Sequence, residues 1–522
     1  MSLDDRPARE TRITTHPLLR SLVLAVFNFD SVSTLLVERM LAEGRLPTLH
    51  ALCERGRRYD LTSPLVYFGD RVTAHTGVDV QDHGLYFPLQ WSPTEQRLES
   101  AYSPPAPPAV WERLADVGRA ALVLDPYEGR PPHRIVGAAI SGVQFTHSVV
   151  LRRWARPRGV DRQVMRMLGR PRESDDAYGE LSESSLRRVE RQVLAAPERT
   201  SRAALHFLER ETFDLVWVEF GAVHLAGHHF WPRDADEVSE RMHSATVLQR
   251  VYELADAAMG RILAALPADA DVLVFTEAGM DANRSRTDVL PEMLARVLGG
   301  PAGDSRLPGR LIWKVRSAVP PHWRLRVTKT VPDEVALRLW AFLHLRGVDW
   351  SSTRAFSLPS DHDGYIRLNV RGRERDGIVD SSATDGLIEE ISSGLRSFRD
   401  SEGTPCVDEI HRVADVLGSG ANDGHLPDLL VTWNHRPTAP RDAASSPQFG
   451  EIAGGGIGRA GNHVAGAWLV VVPGTSRLRD IGHPPRLVDI AATACALLGA
   501  DAAGLAGDPL LVPKSITAAP GR

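Results

Sequence analysis

The distribution of apolar residues along the chain predicts alternating strands and helices. Four short runs have the length and β-branched content of buried strands, namely Leu22–Phe29, Ala120–Leu124, 214–219 and Asp271–Phe275. Longer stretches with helical periodicity follow or separate them: Ser33–Ala42, Thr48–Arg55, Val110–Val117, 159–212 and Val247–Leu266. This alternation predicts an α/β fold whose mostly parallel sheet is flanked by helices.

The pattern changes after residue 300. Pro308, Pro320 and Pro332 interrupt a polar stretch, and Gly364–Val370 alternates as an antiparallel strand does. Apolar runs of strand length return at Leu429–Trp433 and Trp468–Val472, before a last helix at Leu487–Leu498. We therefore predict a core formed by residues 17–300 and 425–515, with residues 301–424 inserted as a cap region.

The composition is that of an ordinary globular protein. The 522 residues are 43% hydrophobic and 24% charged, which is enough to bury a large core. A net charge of −5, with acidic and basic residues interspersed, argues against nucleic-acid binding. The apolar stretch Leu22–Phe27 is too short for a signal or a membrane segment, and Cys53, Cys406 and Cys495 lie too far apart for a disulfide framework. We expect a cytoplasmic protein that does not enter a membrane.

Two histidines four residues apart are the first candidate functional residues. His224 and His228 follow the predicted strand at 214–219, and residues i and i+4 of a helix share a face. Together with the distant His463 they can offer three imidazoles to one metal ion. The spacing alone is a loose pattern in a chain with 19 histidines, so ordinary core or surface histidines are the alternative. His229 points to another helical face and fits that alternative.

A glycine motif near the third histidine has a different explanation. Residues 456–461 match GxGxxG, but they follow a Gly/Ala-rich loop and precede a strand. Dinucleotide binding requires a strand before this motif and a helix after it. We predict a glycine loop leading into His463 and no nucleotide cofactor.

A series of short motifs occurs in an order that points to one family. They are Asp30, Leu46–Leu49, Leu52–Gly56, Thr76–Gly77, His83–Gly84, Trp111–Leu114, Ser141–Gly142, Asp256–Gly260, Gly279–Met280, Pro427–Leu430 and Gly507–Leu510. In this order the chain resembles the type I phosphodiesterase / nucleotide pyrophosphatase family of the alkaline phosphatase superfamily. The resemblance covers nearly the whole chain and implies an alkaline phosphatase-like fold.

The same resemblance implies a two-metal site, usually zinc, at which a threonine or serine attacks phosphorus. Asp30 matches the family's first carboxylate ligand, and His228 and His463 match two of its histidines. Four positions depart from the pattern. Tyr67 stands at the nucleophile position, His224 replaces an aspartate ligand, and Glu277-Ala278 replaces an Asp-His pair.

These departures affect the two metal sites unequally. His224, His228 and His463 form a neutral donor set of the kind that binds zinc, so we predict one metal there. Asp30 and Glu277, with the Tyr67 phenol as a further donor, leave a second site that is weaker or empty because Ala278 has no imidazole. Another divalent metal remains an alternative to zinc.

Tyr67 and Asp70 are the candidate catalytic residues. The Tyr67 phenol can attack phosphorus, ligate a metal or fill the space of a threonine, and its ordinary pKa of about 10 places filling or ligation ahead of attack. Asp70 stands where relatives often carry a neutral amide that holds a phosphate oxygen, and a carboxylate there repels an anion unless it is protonated or metal-bound. A turn residue after Gly69 is the alternative for Asp70.

Two classes of function therefore remain open. One is a metal-dependent hydrolase of phosphodiester or related ester bonds in a small molecule. Its nucleophile would be altered, and a water on the three-histidine metal is one candidate. The other is a non-hydrolytic relative, either a metal-binding protein or an enzyme with different metal chemistry. The sequence does not determine the substrate or the oligomeric state.

Overall fold

A computed structural model describes residues 22–63, 65, 68–101, 106–147, 151–174, 181–232, 242–299, 348–434, 443–454 and 458–514. Its strands are β1 (Leu24–Asn28), β2 (Arg57–Asp60), β3 (Leu89–Ser92), β4 (Arg97–Ser100), β5 (Ala120–Leu124), β6 (Val136–Ser141), β7 (Trp154–Arg156), β8 (Leu215–Glu219), β9 (Asp271–Thr276), β10 (Gly279–Ala282), β11 (Ala355–Leu358), β12 (Gly364–Leu368), β13 (Val407–Arg412), β14 (Leu429–Trp433), β15 (Ala444–Ser446), β16 (Gly450–Ile452), β17 (Gly461–Val464), β18 (Trp468–Val472), β19 (Ser476–Leu478) and β20 (Leu511–Pro513).

The helices alternate with these strands. They are α1 (Thr34–Ala42), α2 (Pro47–Arg55), α3 (Asp70–Thr76), α4 (Val80–His83), α5 (Val110–Asp116), α6 (Asp161–Leu168), α7 (Glu183–Leu208), α8 (Gly221–Phe230), α9 (Met242–Ala264), α10 (Leu290–Val297), α11 (Thr384–Arg396), α12 (Val413–Leu417) and α13 (Val488–Leu498), with 3-10 turns at Ser381–Ala383 and Asp423–His425. Among the described residues, no helix has the length and apolar character needed to cross a membrane.

An eight-stranded sheet forms the centre of the fold, in the order β2-β18-β9-β1-β8-β5-β6-β7. The five strands from β9 to β6 are parallel, and antiparallel neighbours flank them at both edges. The predicted α/β fold with a mostly parallel sheet is therefore confirmed.

Strands β9, β1 and β8 at the centre of this sheet are buried throughout, which explains why they are almost continuously apolar. Ala25 and Phe27 of β1 pack into one core under helices such as α7 and α9, whereas Leu24 and Val26 pack into a second core with α5 and α13. Successive side chains of a strand point to opposite faces, so an uninterrupted apolar run supplies both cores.

A second, antiparallel sheet lies outside the central one, in the order β11-β12-β14-β13. The predicted alternating strand at Gly364–Val370 is confirmed as β12, which pairs antiparallel with β11 and β14. Strand β14 lies beyond residue 424, in a segment that the sequence assigned to the core. Residues 301–347 fall outside the described residues, and the proposed boundaries of core and cap stay a prediction.

The strand order places three loops next to one another. Strands β9, β1 and β8 are adjacent and parallel, so their carboxyl ends meet at one edge of the sheet. Glu277 follows β9, Asp30 follows β1, and α8 follows β8. Ligand sites of open parallel sheets lie at this kind of edge.

Candidate metal centre

Three buried histidines converge beyond the carboxyl end of β8. His224 and His228 lie one turn apart on α8, and His463 lies on β17, opposite Met280 of β10. One ring nitrogen from each histidine lies within 4.8 Å of the other two. The structure thus brings together the three residues that the sequence proposed as one metal site.

Backbone contacts between α8 and β17 hold this arrangement. The Ala460 N–H donates to the carbonyl of His228 over 2.7 Å. A side chain at Gly461 would place its Cβ 2.4 Å from the carbonyl oxygen of Gly227, so only glycine lets the strand approach the helix this closely. The close approach brings His463 beside His228, with ring centroids 5.0 Å apart.

The hydrogen bonds of the rings suit them for metal binding. Nδ1–H of His228 donates to the carbonyl of Gly461 over 2.9 Å, which selects the tautomer with its lone pair on Nε2. Burial, together with the neighbouring His224 and His228, holds the pKa of His463 well below its usual value. Neutral imidazoles are the form that ligates a divalent cation, so this donor set fits a zinc-like ion.

Asp30 lies beside the centre and is fully buried. Its Oδ1 is 2.6 Å from Nη2 of Arg71 and 3.2 Å from Nδ1 of His224. Burial by itself raises the pKa of Asp30, but the charge of Arg71 and the contact with His224 outweigh burial and hold that pKa well below its usual value. Asp30 is therefore ionised and receives N–H groups from both neighbours.

Arg71, on the first turn of α3, is the residue that the sequence analysis missed. Its guanidinium is surrounded by carboxylates: Nη2 contacts Asp30, Nη1 lies 2.8 Å from Oε1 of Glu128, and Nε lies 3.1 Å from Oε1 of Glu277. Its carbon Cζ lies 4.8 Å from the ring centre of Tyr127. The side chain is only 2% exposed.

The acidic groups around Arg71 differ in their ionisation. Burial and the charge of Asp30 raise the pKa of Glu277 well above its ordinary value. Burial also raises the pKa of Glu128, although Arg71 opposes the shift. The pKa values of Asp30 and Glu277 are thus shifted in opposite directions, as expected for two neighbouring buried acids of which one keeps the proton.

Asp70 is the first residue of α3. Gly69 precedes it with φ +76, where a Cβ would come within 2.4 Å of the Leu85 carbonyl oxygen, so glycine is required at this turn. The Ser63 hydroxyl donates to Oδ1 of Asp70 over 3.2 Å. The turn after Gly69 that the sequence offered as an alternative is present, and whether Asp70 is catalytic stays a prediction.

A cleft opens beside Arg71. About 230 Å³ of space, part of it open solvent, is lined by Gly69, Asp70, Arg71, Tyr86, Phe87, Pro88 and Glu128. Arg71 joins this cleft to the histidine centre, since Nη2 also lies 3.2 Å from Nδ1 of His224. Tyr67, the candidate nucleophile, lies outside the described residues.

A fourth histidine approaches the centre from the segment of the predicted cap. The ring of His362 lies 5.9 Å from that of His463, between centroids, and its Nε2 is 3.2 Å from Oδ2 of Asp363. Asn462 donates to the carbonyl of Asp361 over 2.8 Å, which ties this loop to β17. No spacing in the sequence connects His362 with the other histidines.

A comparison with protein-family models gives the decisive match. Residues 24–403 match the model described as type I phosphodiesterase / nucleotide pyrophosphatase. The chain belongs to this family. Membership supports a hydrolase of phosphoester or pyrophosphate bonds and confirms the resemblance seen in the ordered motifs. The comparison with curated proteins gave no match.

Solved structures with a similar fold include two enzymes. Phosphonoacetate hydrolase from Sinorhizobium meliloti 1021, in complex with phosphonoformate, is 12% identical, with a TM-score of 0.50 and coverage of 92% of this chain and 96% of that chain. The inactive murine ectonucleotide pyrophosphatase / phosphodiesterase 5, in complex with AMP, is 10% identical, with a TM-score of 0.49 and coverage of 94% of this chain and 100% of that chain. At such identities the first likeness shows the alkaline phosphatase-like fold alone.

Proposed function

We propose that this chain is a divergent metal-dependent hydrolase of small-molecule phosphodiesters or related esters. The single observation that carries the proposal is the convergence of His224, His228 and His463, all buried, at the carboxyl end of β8. Three imidazole nitrogens that lie within 4.8 Å of one another can be bound by one divalent ion. Their place in the fold is where a family member is expected to hold a catalytic metal.

His224, His228 and His463 would hold the cation. Bound by these residues, a divalent cation would supply Lewis-acid charge and would lower the pKa of a nearby water toward neutrality. The protein contributes the fixed orientation of the donors: Gly461 orients His228 through its carbonyl group, and Asp30 orients His224 through Nδ1. Burial excludes bulk water from these contacts and strengthens them.

The cleft beside Arg71 is the proposed substrate site. Tyr86 and Phe87 supply aromatic surface, and Asp70 and Glu128 bring carboxyl groups. Because carboxylates repel anions, this lining favours a phosphodiester with one negative charge over a monoester with two. We assign the protein to the cytoplasm and to small substrates rather than nucleic acid, on the charge balance and the cysteine spacing of the sequence.

The test compares variants on a generic aryl phosphodiester. The activity should be abolished by a chelator and restored by adding zinc or another divalent ion. His228→Ala should lose turnover, whereas Tyr67→Phe should retain most of it, because the phenol is then at most a ligand or a space-filling group. His229→Ala is the matched control, since His229 is the next residue of α8 and lies outside the cluster of three.

Two results would contradict this proposal. If Tyr67 is the nucleophile, Tyr67→Phe abolishes turnover and a phosphorylated tyrosine can be trapped. If the wild type hydrolyses none of several phosphodiesters and other esters with any divalent ion, the non-hydrolytic class of function is favoured instead.

A further inference from the structure

The position between Asp30 and Glu277 is filled by a side chain. In the family pattern these two positions belong to a second cation. Here Nη2 of Arg71 lies 2.6 Å from Oδ1 of Asp30, and Nε of Arg71 lies 3.1 Å from Oε1 of Glu277. One oxygen of each carboxyl group that a second metal would need is thus already in contact with a guanidinium.

Arg71 is held firmly in this position. Its third nitrogen, Nη1, lies 2.8 Å from Oε1 of Glu128, and its plane lies near the ring of Tyr127. A guanidinium presents its donors in a fixed planar fork, so three separate carboxyl partners define both its place and its orientation. A divalent ion would have to displace this group from a site where the side chain is only 2% exposed.

The remaining donors would hold a second metal only weakly. Ala278 stands where the family pattern has an imidazole, and its methyl group, which is 1% exposed, offers no donor atom. Two carboxyl groups alone make a poor zinc site, which normally has at least three protein donors. The weak donor set and the guanidinium therefore both act against the binding of a second ion.

Asp30 acquires a different task in this arrangement. Both Nη2 of Arg71 and Nδ1 of His224 approach the same oxygen, Oδ1, at 2.6 Å and 3.2 Å. The 3.2 Å separation between those two nitrogens follows from their common acceptor. A carboxylate that accepts Nδ1–H of a ligating histidine fixes the ring orientation and raises the basicity of Nε2.

We propose that Arg71 replaces the second metal ion of the family, so that this chain holds one ion and uses Asp30 as a positioning residue for His224. This inference rests on the proposed function for the first ion. The additional claim is that Arg71 occupies the second metal site. The wild-type protein should therefore hold one ion even when metal is in excess.

The test is the metal content of the intact protein. Chelator-treated wild type, Arg71→Ala, Arg71→Lys and His228→Ala are dialysed against excess zinc, and bound zinc is counted per chain by elemental analysis. We expect one ion in the wild type and in Arg71→Lys, which keeps a cation beside Asp30. In excess zinc we expect a second, weakly held ion in Arg71→Ala, because Asp30 and Glu277 lose their counter-ion, and no ion in His228→Ala.

The outcomes separate this inference from the proposed function. Two ions in the wild type, with one lost in Asp30→Asn, would overturn the replacement by Arg71 and leave the histidine centre intact. One ion in a folded Arg71→Ala protein would also overturn it, because the guanidinium would then not be what excludes the second ion. If Arg71→Ala does not fold, the wild-type count decides. If the wild type binds no ion, the proposed metal centre is wrong, and this inference is wrong as well.

Discussion

The buried imidazole of His83 should make the stability of the protein depend on pH. His83 ends α4 and is 4% exposed. Its Nδ1 accepts the Leu85 N–H over 3.0 Å, so Nε2 carries the proton and donates to Oγ1 of Thr73 over 3.1 Å. Protonation of Nδ1 would remove the first of these hydrogen bonds and place a charge in a buried site.

The structure gives both the size and the sign of this effect. Burial, helped by the charge of Arg130, lowers the pKa of His83 from 6.5 to about 3. Between these values the unfolded chain binds a proton at this side chain and the folded chain does not, so the free energy of unfolding falls as the pH falls below 6.5. At about 1.4 kcal/mol per pH unit, acidification to about pH 5 should remove about 2 kcal/mol.

The assay is urea unfolding at about pH 7.5 and about pH 5. In His83→Asn the amide oxygen can still accept the Leu85 N–H, but the titrating ring is gone. The stability difference between wild type and His83→Asn should therefore shrink by about 2 kcal/mol at the lower pH. His50 is exposed on α2, so His50→Asn is the control and should follow the wild type. An equal difference between wild type and His83→Asn at both pH values would refute the reasoning.

Three further predictions concern the centre and its cleft. Arg71→Met should lower the free energy of unfolding, measured by urea titration, by about 3–5 kcal/mol, because it leaves buried carboxyl groups without their cation. Arg134→Met is the control: Arg134 forms an exposed pair with Asp116, and its loss should cost about 0–1 kcal/mol. Zinc at about 100 times its Kd should stabilise the wild type by about 2.7 kcal/mol, and an equal gain in His463→Ala would exclude that ring as a ligand. An aryl phosphodiester should be hydrolysed faster than the matching monoester, and equal initial rates would show that the carboxyl lining does not select by charge.

The framework of the fold was predictable because it depends on local pattern. Strand β1 is apolar on both faces, and the prediction of a buried strand at Leu22–Phe29 follows from that run alone. The helix that carries His224 and His228 was likewise predictable, since it follows a strand and the two rings are separated by one turn. The approach of His463 depended on the family resemblance, because no local pattern links β17 to α8.

The role of Arg71 was not predictable from spacing. Its partner Asp30 lies 41 residues away, and arginine is so common in this chain that one more carries no signal. One clue was present in the sequence. Two family ligand positions kept carboxyl groups while Ala278 removed an imidazole, and buried carboxylates without a metal require another cation. The basic residue that meets this requirement is Arg71, which directly follows the candidate residue Asp70 in the sequence.

His224, one of the departures from the family pattern, and Arg71 form one connected arrangement around Asp30. An aspartate at position 224, as the family resemblance implies, would face the Asp30 carboxylate and would need a metal between them. The imidazole of His224 instead offers an N–H to Oδ1, and Arg71 offers another. Two nitrogen donors thereby orient the carboxylate, and the guanidinium also neutralises its charge. The exchange at position 224 and the guanidinium of Arg71 consequently support each other, because without Arg71 the imidazole alone would leave the buried charge of Asp30 uncompensated.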